Sequence, residues 1–309
     1  MGIKEIRWHK GSAEFVLEAD RKLLVPAFRQ AALERVAVGS MPWGLAFDGN
    51  ALWCSNIGSS DVSKIDIASN TLVATVTVGQ TPLGLTFDGS HIWVVVSGSS
   101  SVKKIDVNTN LVVATVSAGY SPYAAVFDGT YVWVASFSSH DVTKVDVASN
   151  TAVATIGVDH AATAVTFDGS YLWVATVRAL KKIDVDNDQV IATIDLETGD
   201  HELAFDGTHL WVSNATNGTV SVIDVSTGSV DATLDLRGGP MGMVYDGFSI
   251  WVTHSNRHRV SRIDVMGRVV RASVGTGVHP RGLAFDGTHI WVSNRGSDSV
   301  SKIPVLPLP

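Results

Sequence analysis

Between residues 33 and 303 the chain is written in short apolar runs of four to seven residues, many rich in Val, Ile, Thr and aromatics, separated by small polar clusters. Runs of that length and composition predict β-strands. The first set is typical, with predicted strands at residues 44–47, 52–56, 62–67 and 72–78. Asp48-Gly49 joins the first two and supplies the positive φ that a tight hairpin needs, and Ala68-Ser69-Asn70 marks a second turn. No segment of this region carries apolar residues at a helical spacing.

The set recurs. Trp stands at 53, 93, 133, 173, 211, 251 and 291, at steps of 40, 40, 40, 38, 40 and 40 residues. Six residues before each Trp is an aromatic followed by Asp-Gly: Phe47, Phe87, Phe127, Phe167, Phe205, Tyr245 and Phe285. A four-stranded unit of about 40 residues in radial repetition predicts an all-β chain, a seven-bladed β-propeller of four-stranded antiparallel blades. The last copy stops after its third strand, at about residue 303. The missing strand is found at the other end of the chain, where residues 33–39 match the close of a fourth strand, so an N-terminal strand is expected to complete blade seven and remove an open edge. The expected organisation is an arm over 1–31, a propeller over 32–304 and a tail over 305–309. Ser12 reads as the cap of a helix over residues 13–24, and Pro26 as the first turn of a second one. The arm is expected to pack on the ring or to mediate self-association.

Composition narrows the function. Apolar residues make up 45% of the 309 and charged residues 17%, which is what strands buried on both faces require and what a disordered chain lacks. No apolar run reaches the ~18–20 residues of a membrane-spanning helix. The sequence reads as soluble, and with no secretory leader it is compatible with the cytoplasm; a mature piece of an exported protein would read the same. Cys54 is the one cysteine, which excludes an internal disulfide framework and any four-thiolate centre. A net charge of −7 and the lack of an aromatic stripe argue against nucleic acid as a partner.

The units resemble the YVTN family of propeller repeats, at Ile290-Trp291-Val292-Ser293-Asn294, Val62-Ser63-Lys64-Ile65-Asp66 and Val112-Val113-Ala114-Thr115-Val116. The resemblance covers about residues 33–303 and implies the fold together with a ligand-binding or partner-binding role. A more distant resemblance to the streptogramin (virginiamycin B) lyases implies a Glu-x-His ahead of a blade, and a Glu three residues after its Trp, holding Mg²⁺. Here blade five offers His201 but has Gly199 and Asn214 at the two Glu places, and blade seven offers His279, Arg281 and Asn294. The carboxylates that a hard cation prefers are missing, so no cofactor is expected, and a divalent metal held by His201, Glu202 and His254 stands only as an unsupported alternative.

Function in a propeller is expected at the channel mouth, where the fourth-to-first and second-to-third strand loops meet. The residue inside each Pro-x-Gly gives Trp43, Leu83, Tyr123, Thr163, His201, Met241 and Arg281; the third residue after each Trp gives Asn56, Val96, Ser136, Thr176, Asn214, His254 and Asn294. Polar and aromatic members gather in blades five, six, seven and one. Blade six adds Arg257, His258, Arg259, Arg262, Arg268 and Arg271, followed by His279 and Arg295, a positive sector on an acidic protein. The expected ligand set is Trp43, Asn56, Tyr123, His201, Asn214, His254, Arg257, Arg281 and Asn294. The arginines would hold an anionic group or an acidic partner segment, the aromatics would stack, and the histidines would give polar contacts. Two rival readings stand beside this binding scaffold. One is a lyase or lactonase-like hydrolase using His201, Glu202 and His254; the other is a structural assembly protein.

Overall fold

The computed structural model describes residues 5–9, 12–16, 33–199 and 201–306. The chain divides into two units, Met1–Ala32 and Leu33–Pro309. In the first, Glu5–His9 and Ser12–Val16 pair antiparallel, from Glu5 opposite Val16 to His9 opposite Ser12. This corrects the helix expected to start at residue 13. Glu5 to His9 alternates polar and apolar at a period of two, which suits a strand ladder and gives no helical face. The remainder of that helix, and the one expected at Pro26, lie outside the described residues.

The second unit is a seven-bladed propeller, seven antiparallel sheets of four strands each. Blade one consists of Pro42–Phe47, Ala51–Asn56, Asp61–Asp66 and Thr71–Thr77. Blade seven takes three strands from the C-terminal end, Pro280–Phe285, His289–Asn294 and Ser299–Pro304, and its fourth, Glu34–Ala37, from the N-terminal side. The expected closure is therefore present. First strands of successive blades pack side by side around the channel, and Pro280–Phe285 against Pro42–Phe47 completes the circle.

One side-chain unit recurs in every blade and explains the Asp and Trp spacing. The Asp of each Asp-Gly turns back to cap its own hairpin. Asp48 Oδ1 accepts from the Asn50 and Ala51 amides, while Oδ2 accepts from Trp53 Nε1 at 2.7 Å. The corresponding Asp–Trp bonds in all seven blades span 2.6–2.8 Å. All seven indoles are essentially inaccessible to solvent. Their N–H groups would be costly to bury without a partner, and the turn carboxylate is that partner.

A second feature ties blade to blade. A third-strand lysine lies over its own Trp and donates to a turn carbonyl of the next blade: Lys64 to Val107, Lys104 to Val147, Lys144 to Val185, Lys182 to Val225 and Lys302 to Ile67. Each ammonium sits 4.9–5.1 Å from its indole centroid, a cation–π distance. Arg262 takes this place in blade six, and Val222 in blade five. No helix among the described residues is long and apolar enough to cross a membrane.

Candidate functional site: the channel mouth

The channel is walled by the seven first strands. A belt of Leu45, Leu85, Ala125, Val165, Leu203, Met243 and Leu283 lines it, and one or two positions nearer the strand starts come Trp43, Tyr123, Glu202 and Arg281. Together with backbone they border a cavity of about 160 Å³. A dry cavity of about 150 Å³ in another protein holds benzene, so this one suits a small molecule.

Hydroxyls on neighbouring blades position the mouth residues. Two positions after the Trp, Ser293 donates to the Trp43 carbonyl at 2.6 Å and Thr253 to the Arg281 carbonyl at 2.9 Å. Ser213 and Ser55 do the same to Met241 and Leu83. Blades two, three and four carry Val95, Ala135 and Ala175 there, so the hydroxyl set belongs to blades five, six, seven and one, the sector that the sequence marks as polar. The glycine of Pro-x-Gly serves the same close approach. A Cβ on Gly282 or Gly242 would collide with the Trp43 or Arg281 carbonyl of the next blade.

Blade five departs from this scheme by one residue. Its first strand, His201–Phe205, is five residues long, and it pairs without the register shift seen in the six-residue first strands of the other blades. His201 faces Asn214 as Pro42 faces Asn56, so it occupies the proline place and the bulge residue is omitted. The Glu202 amide then meets Ser213 Oγ as the Gly44 amide meets Ser55 Oγ. With the bulge gone, a residue bearing a side chain is tolerated at the glycine place, and Glu202 lines the cavity.

Arg281 is the centre of the mouth. It is 7% exposed, and its guanidinium carbon stands 3.9 Å from the Trp43 ring centroid. One terminal nitrogen donates to Tyr123 Oη at 2.7 Å, the other contacts Met241 Sδ, and Glu202 Oε1 lies 3.6 Å away. Arg281 Nε is buried and has no hydrogen-bond partner among the described residues. The Trp43 and Tyr123 rings meet edge to face at 6.0 Å, and Phe137 lies 6.3 Å beyond Tyr123.

The second expected set sits elsewhere. Asn56, Asn214, His254 and Asn294 are buried inside their blades, where they brace the mouth loops from beneath. Asn56 donates to Asp61 and Ser63; Asn214 accepts from the Thr216 and Asn217 amides; Asn294 accepts from the Gly277 amide and donates to Ser301. His254 bonds the Arg237 carbonyl through Nδ1 and Ser261 through Nε2, each at 2.9 Å. His201 is also buried, with Nδ1 3.0 Å from the Ser213 carbonyl and Nε2 2.9 Å from that of Glu197.

The basic sector divides as well. Arg262 is buried over Trp251 and bonded to Ser249, with Asp246 3.4 Å away. Arg268 and Arg271, flanking and within the outer strand, pair with Asp231 and Asp264. Arg257, His258, Arg259, His279 and Arg295 are exposed, and Arg295 lies 5.5 Å from the Trp43 ring. Among the described residues, His209, Asp224 and Asp231 could converge on a cation, at the end of blade five away from the mouth; Arg268 Nη2 already lies 3.2 Å from Asp231 and 3.4 Å from His209.

Burial holds the His254 imidazole below its ordinary range, reinforced by the charges of Arg257 and Arg259 and opposed by the Arg237 carbonyl. Asp66, Asp88, Asp106 and Asp224 are among the turn carboxylates that are lowered too, Asp224 to about 2, because the Ser226 hydroxyl and the Thr227 and Ser226 amides stabilise its anion. Both shifts make the protein less stable in acid. Below pH ~6.5 the unfolded chain takes up a proton at residue 254 that the folded chain resists, and below ~3.8 the unfolded chain protonates carboxylates that the folded chain keeps ionised. Urea midpoints should therefore fall in two stages on acidification. His254→Asn, the residue found at three equivalent places, should keep the fold and shrink the first stage; an unchanged profile in the variant would refute this assignment.

No protein-family model matches the sequence, and no curated protein matches it. Solved structures do. A hydrazine synthase from Kuenenia stuttgartiensis is 21% identical with a TM-score of 0.77, covering 86% of this chain and 96% of that one. The virginiamycin B lyase of Staphylococcus aureus is 13% identical with a TM-score of 0.74, covering 89% and 99%. The β-propeller domain of Cps50 (Swd1) from Myceliophteria thermophila is 12% identical with a TM-score of 0.74, covering 86% and 97%. At these identities the likeness shows the seven-bladed fold and nothing of what the mouth holds.

Proposed function

We propose that this propeller is a binding module that takes a small carboxylate-bearing ligand at the channel mouth, with Arg281 as the primary contact. The observation that carries the reading is a buried guanidinium at the edge of a cavity of about 160 Å³ with its Nε donor unfilled. Buried donors are filled nearly always, and an unfilled one beside a cavity is what a bound acceptor would complete. The Trp43 face and the Tyr123 hydroxyl hold the guanidinium in one orientation, so little side-chain freedom is lost on binding. The resemblance to YVTN repeats is consistent with such a role.

What favours binding over acid–base catalysis is the state of the two histidines. Both ring nitrogens of His201 and of His254 lie within hydrogen-bond distance of groups in their own part of the fold. A catalytic base or metal ligand needs a free nitrogen lone pair facing the substrate.

The test is a thermal-shift screen of small carboxylates against the wild type and Arg281→Gln. A ligand at 100 times its Kd should stabilise the wild type by about 2.7 kcal/mol. Loss of the charged hydrogen bond should cost about 1.5–3 kcal/mol of binding, roughly tenfold to 150-fold in Kd. Equal shifts in the two proteins would remove Arg281 from the site and with it this reading.

A further inference from the structure

We propose that the rim of the mouth on blades six and seven docks an acidic segment of a partner protein, laid across Arg257, Arg259 and Arg295. This surface is separate from the cavity: its side chains are exposed, and it does not need Arg281.

Arg257 closes the short turn Ser255–Arg257 after the second strand of blade six, Arg259 opens the third strand of that blade, and Arg295 follows the second strand of blade seven. All three are exposed. Arg237 and Arg271, also exposed in this sector, each hold a carboxylate, Asp235 at 3.3 Å and Asp264 at 2.7 Å. Among the described residues Arg257, Arg259 and Arg295 form no such pair. The acid at the end of the loop 295–298, Asp298, accepts from the Met41 amide through Oδ1 at 2.8 Å. Three guanidinium groups without counter-charges, on a protein of net charge −7, make a local positive field that an acidic segment complements.

The rim is also held in shape by its backbone. Ser255 and Asn256 donate to the Gly239 and Gly238 carbonyls, Thr276 to that of His258, and Arg295 and Gly296 to those of His279 and Val278. His258 stands between Arg257 and Arg259 in sequence, and its ring meets that of His279 edge to face at 5.0 Å. The His279 amide donates to His258 Nδ1 at 3.1 Å, so the loops of the two blades form one connected surface. Half-exposed Val278 adds an apolar contact beside it. A fixed backbone lowers the ordering cost of binding, and the guanidinium fork matches a carboxylate. In an extended peptide every second side chain points the same way, so acids at alternate positions face the rim together.

Charge extent selects the partner. Nucleic acid and anionic lipid surfaces carry negative charge over areas larger than this rim, and the rest of an acidic protein repels them. A short acidic segment meets the rim alone.

The experiment is fluorescence anisotropy of the full chain with a fluorescein-labelled peptide of alternating Asp and Ser, and with a Lys and Ser counterpart. The acidic peptide should bind saturably and its counterpart should not. Raising salt from about 50 to about 200 mM should weaken binding severalfold, because exposed pairs are screened. Arg257→Glu, Arg259→Glu and Arg295→Glu should each weaken it about fivefold or more. Arg178→Glu makes the same charge change on an exposed residue between the second and third strands of blade four, and should leave Kd within about twofold. Circular dichroism verifies that the variants are folded. No binding of the acidic peptide, or an Arg178→Glu effect as large as those of the rim variants, overturns the proposal. It is equally overturned if single-stranded DNA or phosphatidylserine vesicles bind more tightly than the peptide through the same arginines. None of these outcomes bears on the carboxylate reading, which the Arg281→Gln screen tests by itself.

Discussion

Trp133→Ala should destabilise the propeller by about 3–5 kcal/mol, the range for removing a large aromatic from a well-packed core. The indole is fully buried and packs with Ala135, Val142 and Ile156 of its own blade and with Ala162, Leu172, Val174 and Ile183 of blade four, so the cavity would open at an interface between blades. It is also a node for polar contacts. Trp133 Nε1 donates to Asp128 at 2.6 Å, and Asp128 at the same time holds the Thr130 and Tyr131 amides. Lys144 lies 4.9 Å above the ring and reaches the Val185 carbonyl and Asp188 of the next blade. Losing the ring loosens all of them. Urea unfolding followed by circular dichroism reads the effect, with Val153→Ala, on the exposed outer strand of the same blade, as the control expected to cost well under 1 kcal/mol. Asp128→Asn and Trp133→Phe, made singly and together, should show a coupling of about 0.5–3 kcal/mol if the carboxylate and indole act as one unit. A Trp133→Ala protein as stable as the Val153→Ala control would mean that packing between blades is not what holds the ring.

The same unit explains how much was legible beforehand. A Trp repeated every 40 residues, six after an aromatic-Asp-Gly, reports a contact that every blade must make, so fold and blade number follow from spacing. Trp43, Tyr123 and Arg281 were legible as mouth residues because each first strand enters the channel at the same phase. Glu202 was harder: the 38-residue step arises in the short loop from Thr176 to Ala179 in blade four and does not mark it, and its place depends on whether a bulge is kept or dropped, which is a matter of backbone register. His254 and the three asparagines illustrate the opposite case. They share a position, but the strand there turns its side chains under the loops, and the loops' unpaired amides and hydroxyls are what they bond. The arginines of blade six are close in sequence and far apart in role, because neighbouring strand positions face opposite sides and Arg262 falls where other blades place the stapling lysine. Ser12 as a cap and the apolar content of residues 13–24 suggested a helix where Ser12–Val16 forms a strand.

Removing Glu34–Ala37 should harm the protein more than its four residues suggest. This strand is the outer edge of blade seven, with Glu34 opposite Lys302 and Ala37 opposite Ser299. Its side chains reach both neighbouring blades: Arg35 donates to the Thr276 carbonyl of blade six at 3.0 Å, and Glu34 accepts from Asn70 of blade one at 2.6 Å. Val36 is buried with Leu52, Ile65, Trp291 and Val300. A chain beginning at Gly39 would leave one side of Ser299–Pro304 unpaired, an edge able to recruit a second copy, and would expose that cluster to water. A chain beginning at Leu33 keeps the strand and serves as the reference, so any contribution of the first 32 residues cancels in the comparison. The shorter chain should unfold at a lower urea midpoint and elute in part as dimers or larger species in size exclusion with light scattering. Val36→Asp in the full chain tests the same junction without a truncation: an unpaired carboxylate placed in that apolar cluster should cost about 3 kcal/mol or more. Because the ring is closed, the strain of losing one junction is not confined to blade seven; first-strand packing at the mouth, including Trp43 against Arg281, relies on Pro280–Phe285 staying beside Pro42–Phe47. The Gly39 chain should therefore also lose ligand binding at Arg281. Should it remain monomeric, bind normally and unfold with the reference chain, the first-strand packing alone would suffice to close the ring.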